Sequence, residues 1–238
     1  MLKIDYNTIT PKEAVALQRE LQQLVRLSPI KKSINTIAGA DISFNRFSPI
    51  VYAGIVVLSF PELKLIEEVT VVTKTSFPYV PGLLAFREIP AIIEAWNKLK
   101  KKPDILVCDG HGIAHPRRLG IATHFGIVSD TITIGCAKSI LCGDCNEPSN
   151  EKTATAELIH KEEKIGVALR TKKNCKPVYI SPGNKITLNE SVNIMKQCVG
   201  KYRIPEPTRL AHLLVNKIRK EHNQRLTADK NCCTIPTR

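Results

Sequence analysis

A chain of 238 residues is long enough to bury a full core, and we expect a single domain over residues 1–222. Its 43% of hydrophobic and 24% of charged residues exclude disordered and fibrous proteins. The excess of 35 Lys and Arg over 22 Asp and Glu gives a net charge of +13, which favours a polyanion such as nucleic acid as partner but does not exclude a generically basic protein.

The N-terminus and the cysteines indicate the compartment. The first residues, MLKIDYNTITPKE, lack the basic and apolar regions of a signal peptide, and no apolar run reaches the roughly 20 residues that span a bilayer. We therefore expect a cytoplasmic protein without a membrane partner, in which the 8 cysteines are reduced. Cys142 and Cys145 form a lone CxxC without a second pair at zinc-ribbon spacing, so structural zinc and redox chemistry are less favoured interpretations.

The first half of the chain combines one helix, three strands and a second helix. Thr10, Pro11 and Glu13 form a capping box with a proline in the first turn, which predicts a helix to about residue 27. Three segments rich in β-branched residues then predict an antiparallel meander: 34–44, 51–60 and 63–73. Apolar residues at helical spacing over 84–99 predict a helix that carries Glu88.

Strands and helices alternate in the second half. The candidate strands are short apolar segments: 104–109, 129–134, 165–170 and 178–181. Thr187 and Pro205 each open a C-terminal helix, and we expect a disordered basic tail over residues 223–238. This order resembles the ribonuclease H-like fold, an α/β fold with a mixed central sheet of three antiparallel strands followed by parallel strands, flanked by helices.

Three acidic residues stand in apolar surroundings. Asp41 interrupts an apolar strand, where an unpaired charge is costly. Asp109 ends another apolar strand, at the position where α/β proteins hold ligands. Glu88 lies four residues from both Leu84 and Ile92, so it shares their inward-facing stripe of the helix. Each acid taken alone could equally be a paired or helix-capping carboxylate.

Taken together, the three acids predict a metal site. Three carboxylates repel one another in a site of low dielectric constant unless a cation joins them, and ligation by oxygen alone favours Mg²⁺ or Mn²⁺ over zinc. One or two such ions suit phosphodiester hydrolysis, because they polarise the phosphate and activate the attacking water.

Several blocks of the sequence closely resemble the signature motifs of the endonuclease V family. The blocks follow the family's order and span most of residues 30–215: GADISF at 39–44, PYVPG at 78–82 with FRE at 86–88, DGHGIAHPR at 109–117, TIGCAK at 133–138 and PEPTRLAH at 205–212. This resemblance implies that Asp41, Glu88 and Asp109 are the metal-binding and catalytic acids. It also implies that Lys138 and His212 are catalytic residues beside the scissile phosphate.

The resemblance further implies how a substrate is recognised. Tyr79 matches the family's wedge tyrosine, which enters the strand where a lesion base is turned out, although such a residue could also simply anchor its own loop. The residues matching the family's flipped-base pocket are Gly82, Leu84, Gly110 and His115. A pocket with a donor for O6 and an acceptor for N1–H selects the base of deoxyinosine.

The family's reaction is cleavage of the second phosphodiester 3′ to deoxyinosine in DNA, which leaves 3′-hydroxyl and 5′-phosphate ends and initiates repair. One alternative is an endoribonuclease for inosine-containing RNA, since inosine presents the same base edge. Another is a non-catalytic binding module, against which a cluster of phosphate-repelling carboxylates argues. A monomer is the default expectation.

Overall fold

Nine strands pair into one sheet in the part of the chain that the computed structural model describes, residues 4–45 and 48–232. The strands are β1 Thr36–Phe44, β2 Ile50–Ser59, β3 Leu65–Lys74, β4 Ile105–Cys108, β5 Ile132–Ala137, β6 Asp144–Cys145, β7 Thr155–His160, β8 Glu163–Leu169 and β9 Val178–Asn184. The helices are α1 Pro11–Gln22, α2 Leu84–Lys98, α3 Ile121–Ser129, α4 Leu188–Gln197 and α5 Glu206–Cys232.

The strand order is β3-β2-β1-β4-β5-β9-β8-β7-β6. The first three strands are antiparallel, and β4 and β5 lie parallel to β1. This half of the sheet confirms the predicted fold class. From β5 onward every pairing is antiparallel, so β9, β8, β7 and β6 extend the sheet as a second meander.

Helices cover both faces of the sheet. Alternate residues of β1 point to opposite faces, so Ala38 and Ala40 pack in the core cluster under α2, and Ile37 packs in the cluster under α4 and α5. Gly39 faces α5 at very close range, since a Cβ atom there would lie 1.9 Å from the carbonyl oxygen of Pro207. The start of α5 therefore rests directly on the backbone of β1.

The N-terminal helix begins as predicted, with a capping box between Thr10 and Glu13, but it ends earlier than residue 27. The backbone around Arg26 pairs with the end of β9 instead. The amide of Arg26 donates to the Asn184 side chain (3.1 Å), and the amide of Lys185 donates to the Arg26 carbonyl (2.5 Å). These tertiary hydrogen bonds replace the last helical turn.

The C-terminal helix continues through the start of the tail expected over residues 223–238. Its residues up to 223 are held on the sheet: the Tyr52 hydroxyl is 2.8 Å from His222 Nδ1, and the Asn45 amide donates to Asn223 (2.9 Å). These contacts hold the helix on the sheet as far as Asn223, and the helix ends at Cys232. Residues 233–238 of the expected tail lie outside the described residues. None of the described helices combines the length and the apolar character that crossing a membrane requires.

Candidate active site

Asp41 and Asp109 come together because β1 and β4 are parallel neighbours in the sheet. Asp41 lies in β1, and Asp109 directly follows the last residue of β4. The amide of Asp109 donates to the carbonyl of Ala40 (3.0 Å), which extends the ladder by one residue and holds the two acids side by side. The predicted meeting of the two strand-borne aspartates is thus a direct result of strand order.

The Asp41 carboxylate is buried and has two hydrogen-bond partners. The Nδ1–H group of His212, on α5, donates to Oδ2 (2.7 Å), and the amide of Ile42 donates to Oδ1 (2.7 Å). Burial raises the pKa of Asp41 to about 6, the charge of Asp109 adds to the rise, and the hydrogen bond from His212 opposes it. Burial and the neighbouring carboxylate thus both oppose a negative charge on Asp41, and a bound cation would offset both effects.

Asp109 forms an ion pair with Lys138, which follows the end of β5, the next parallel strand. The backbone at Lys138 is itself fixed, because the Arg203 guanidinium donates to the Lys138 carbonyl (2.9 Å). Arg203 was not among the predicted site residues, and only its nearness to the block at 205–212 could have drawn attention to it. The lysine ammonium is thereby held at the edge of the acidic cluster.

Glu88 approaches from α2, on the opposite face of the sheet from α5. Burial, together with the charges of Asp41 and Asp109, raises the pKa of Glu88 to about 8, and the charge of Arg87 opposes the rise. The Glu88 carboxylate is close enough for the charges of both aspartates to raise its pKa. It does not belong to the closest group of potential metal-binding atoms, which is described next. Its role as a metal ligand stays a prediction.

One group of side chains in the described part of the chain could hold a metal ion: Asp41, Asp109 and His212, whose donor atoms all lie within 4.8 Å of one another. Two carboxylates in a site short of positive charge fit a hard divalent cation such as Mg²⁺ or Mn²⁺. The group contains no cysteine. Cys142 and Cys145 instead pack against a small apolar cluster of Ala114, Leu158 and Ile165.

A cavity of about 330 Å³ opens beside the acids. Its lining includes every residue of the predicted base pocket together with two of the acids: Tyr79, Gly82, Leu84, Gly110, His115, Glu88 and Asp109. The structure thus places the predicted base-pocket residues next to two of the predicted catalytic acids. Gln18, from α1, also lines the cavity, and no sequence pattern pointed to it.

The loop at Gly82 is fixed by three donors to a single carbonyl. The Gly82 oxygen accepts from Gln18 Nε2 (3.0 Å), Arg117 Nη2 (2.8 Å) and His115 Nε2 (3.1 Å). Because the amide of Arg117 donates to His115 Nδ1, the His115 ring carries its proton on Nε2. Burial and the charge of Arg117 lower the pKa of His115 to about 4, so the ring is neutral. The wall of the cavity is therefore rigid.

Tyr79 stands at the mouth of the cavity with 61% of its surface exposed, so it does not serve to bury its own loop. Its ring lies 6.3 Å from that of Phe44, and the Arg87 guanidinium lies 5.4 Å from the centre of Phe44. Arg87 also donates to the carbonyls of Phe77 (2.8 Å) and Ser48 (2.9 Å). Arg87 thus ties the Tyr79 loop to the β1–β2 connection and leaves the tyrosine ring free.

A ribonuclease H-like sheet that gathers aspartates at the ends of its parallel strands, with a basic side chain at their edge, has the architecture of a nuclease. The family model for Endonuclease V matches residues 19–213. The chain belongs to the Endonuclease V family.

Individual relatives agree over nearly the whole chain. Endonuclease V of Thermosipho melanesiensis is 43% identical over 92% of this chain and 95% of its own length. The crystal structure of Endonuclease V from Bacillus subtilis has a TM-score of 0.88 at 34% identity and covers 93% of this chain and 97% of that one. That of Ciona intestinalis Endonuclease V, in complex with a 24mer DNA containing an inosine followed by a ribo-adenosine, has a TM-score of 0.79 at 32% identity and covers 88% and 98%.

Proposed function

We propose that this protein is a divalent-metal-dependent deoxyinosine 3′ endonuclease that initiates DNA repair. It would turn a deaminated purine out of the strand and hydrolyse the second phosphodiester 3′ to it, leaving 3′-hydroxyl and 5′-phosphate ends. The observation that carries this proposal is the cavity at Tyr79, which opens directly onto Glu88 and Asp109. This shared lining supports a base-recognition site that adjoins the site of backbone cleavage.

Each side chain of the candidate site has its own proposed role in catalysis. Asp41 and Asp109, with Glu88 beside them, would hold one or two Mg²⁺ ions, with Mn²⁺ as a substitute. A bound divalent cation supplies polarisation of the scissile phosphate and a lower pKa for the attacking water. Lys138 places an ammonium group at the edge of the cluster, where it can donate to a phosphate oxygen. The Nδ1–H group of His212 holds the Asp41 carboxylate in place.

Recognition rests on the cavity and on Tyr79. The exposed tyrosine ring can replace the stacking that a flipped base loses, and base–aromatic stacking stabilises a complex by about 1–3 kcal/mol. Gly82, Leu84, Gly110 and His115 would enclose the hypoxanthine. The neutral His115 and the saturated carbonyl of Gly82 keep this wall in one conformation, so the pocket can discriminate by shape and hydrogen bonding.

An inosine-specific endoribonuclease is the second candidate. The DNA bound to the Ciona intestinalis relative carries a ribo-adenosine directly after its inosine, which favours tolerance of a 2′-hydroxyl near the cleavage point in that protein. A non-catalytic binding module is disfavoured, because three acids near a phosphate site weaken binding unless a cation is used.

The deciding experiment uses end-labelled oligonucleotides with a single deoxyinosine or a single inosine, incubated with Mg²⁺ or with EDTA. We expect a Mg²⁺-dependent nick one nucleotide beyond the lesion, absent with Asp41→Ala. The oligonucleotide that is cleaved faster assigns the enzyme to DNA repair or to RNA processing. Binding to the oligonucleotides without cleavage of either one would contradict the proposal and favour a non-catalytic binding module.

The remaining expectations, a cytoplasmic and monomeric enzyme that takes DNA or inosine RNA as partner, belong to the same proposal. Sedimentation equilibrium tests the monomer directly, since a dimer would double the mass of 26.5 kDa.

A further inference from the structure

A closed set of hydrogen bonds joins β1 to α5 beside the candidate site and includes Ser43 and Asn216, which the proposed mechanism does not use. His212 Nδ1–H donates to Asp41 Oδ2 (2.7 Å). Asn216 Nδ2 lies 3.1 Å from His212 Nε2 and also donates to the His212 carbonyl (2.9 Å). The Ser43 hydroxyl donates to Asn216 Oδ1 (3.2 Å), which returns the set to the strand that carries Asp41.

The spacing of these residues explains the arrangement. Asp41 and Ser43 are two positions apart in a strand, so both side chains stand on the same face of the sheet. His212 and Asn216 are four positions apart in a helix, so they too share a face. The contact of α5 with the backbone of β1 at Gly39 brings these two pairs opposite each other.

The hydrogen-bond chemistry of the set determines the tautomer of His212. An amide NH₂ group can only donate, so Nε2 of the ring must present its lone pair to Asn216. A neutral imidazole carries one proton, which must then be on Nδ1 and point at the Asp41 carboxylate. The His212 carbonyl can only accept, so it opposes a turn of the amide that would place oxygen against Nε2, and the hydroxyl of Ser43 holds the amide group in place by donating to its oxygen.

We propose that Asn216 and Ser43 are positioning residues that fix the ring orientation and the tautomer of His212, so that its Nδ1–H stays on Asp41. This inference rests on the proposed function, in which Asp41 and His212 belong to the reaction centre. Residues that orient a metal-site histidine in this way typically change activity or metal affinity by about 10–100-fold. The hydrogen bonds of Ser43 lead to Asn216 and those of Asn216 lead to His212, so both residues would act through His212.

The kinetic test is a double-mutant cycle on single-turnover cleavage of a deoxyinosine oligonucleotide. We expect Asn216→Ala to lower the rate about 10–100-fold with little change in Kd for the oligonucleotide. In a protein that already carries His212→Ala, the same substitution should cause no further loss. An equal loss in both backgrounds, or a wild-type rate for Asn216→Ala, overturns the proposal.

Matched variants separate positioning from general damage to the fold. Leu213→Ala changes an exposed residue of the same helix and should keep the wild-type rate. Ser43→Ala should slow cleavage, whereas Ser43→Thr keeps the hydroxyl and should restore the rate. This serine pair tests the proposal even where Asn216→Ala lowers Tm, and equal rates for the two serine variants contradict it.

The tautomer is measured directly in metal-free protein labelled with ¹⁵N in its histidines. The His212 signals are assigned by their absence in His212→Ala. We expect the pattern of an Nδ1-protonated ring in the wild type and a mixture of tautomers in Asn216→Ala, and an Nε2-protonated wild-type ring would overturn the proposal. Because this measurement needs no substrate, it stands even where the wild type cuts neither oligonucleotide, a result that refutes only the proposed function.

Discussion

Glu88 and Asp41 hold their protons to higher pH than free carboxylic acids. Burial raises their pKa values most, the charge of Asp109 adds to the rise of both and that of Asp41 to the rise of Glu88, and the values reach about 8 for Glu88 and about 6 for Asp41. Each of these two acids therefore destabilises the folded protein as the pH rises from its unfolded-state pKa to its folded-state pKa. Buried histidines act in the opposite direction up to about pH 6.5, because burial lowers the pKa of His115 to about 4 and that of His124 to about 3. We expect Tm of the metal-free protein to decrease between about pH 6.5 and about pH 8.

The upper part of this decrease is assigned to Glu88. Glu88→Gln should flatten the curve between about pH 6 and 8, because glutamine does not titrate. Glu94→Gln, on the same helix and paired with Lys98 at the surface, is the matched control and should leave the curve unchanged. A curve for Glu88→Gln that follows the wild type at every pH contradicts the assignment.

A cation that binds only the folded protein raises its Tm. We expect Mn²⁺ or Mg²⁺ to raise Tm of the wild type at neutral pH and to have no such effect on Asp41→Asn, which keeps the shape of the side chain but not its charge. Asp130→Asn, an exposed acid bonded to Lys185, should respond like the wild type. Equal shifts in all of these proteins would show that the ion binds elsewhere.

Tyr79 is the residue whose removal should affect recognition most and stability least. Because its ring is largely exposed, Tyr79→Ala should leave Tm near that of the wild type. Loss of one stacking partner should weaken binding to a deoxyinosine oligonucleotide by about 1–3 kcal/mol, measured as Kd with Ca²⁺ in place of Mg²⁺. Ile66→Ala, at an equally exposed position on β3, controls for loss of surface and should bind normally.

At the scale of elements, the contact of α5 with β1 determines the geometry of the site. Gly39→Ala would place a methyl group 1.9 Å from the Pro207 carbonyl oxygen, and neither backbone can move without displacing His212 or Asp41. We expect a loss of about 3 kcal/mol or more in the free energy of unfolding, measured with urea. Gly200→Ala meets only the end of the Glu206 side chain and should cost far less, and equal losses would refute the explanation.

The elements of the site were more predictable than those of the outer sheet. β1 is an apolar strand that contains one acid, and β4 is an apolar strand that one acid directly follows, a contrast that the sequence alone shows. α3 was missed because seven of its nine residues are buried, so it has no polar face to produce a helical period. β7 was missed because only one of its six residues is buried and half of them are polar, and its place depends on pairing with β8.

The residues of the candidate site also fall into two groups: those that the local sequence reveals, and those that only tertiary packing brings to the site. Asp41, Asp109 and Glu88 were predictable because a charge in an apolar pattern is a local signal. Gln18 and Asn216 were not predictable, because each lies in an ordinary polar position of a helix. Their partners, at Gly82 and Ser43, are set by tertiary packing alone.

At the scale of the whole molecule, the net charge of +13 should dominate the salt dependence of binding. With about four phosphate contacts, affinity for any oligonucleotide should fall roughly 100-fold between about 50 and 200 mM salt. Asp41→Ala protein allows this to be measured without cleavage. The ratio of affinities for deoxyinosine and deoxyadenosine oligonucleotides should change little with salt, because the base pocket releases no counterions. A ratio that changes with the salt concentration would contradict the assignment of the salt dependence to phosphate contacts.

The cavity and the acidic cluster draw their residues from almost the whole length of the chain, from Gln18 on the first helix to His212 on the last. During synthesis, Gln18 leaves the ribosome long before Gly82 and Leu119, the residues whose carbonyls it holds. His212 then joins Asp41 only after nearly all the sheet has been made. An unfinished or prematurely terminated chain therefore lacks a complete candidate active site. Only molecules that have been translated almost to the end can have nuclease activity.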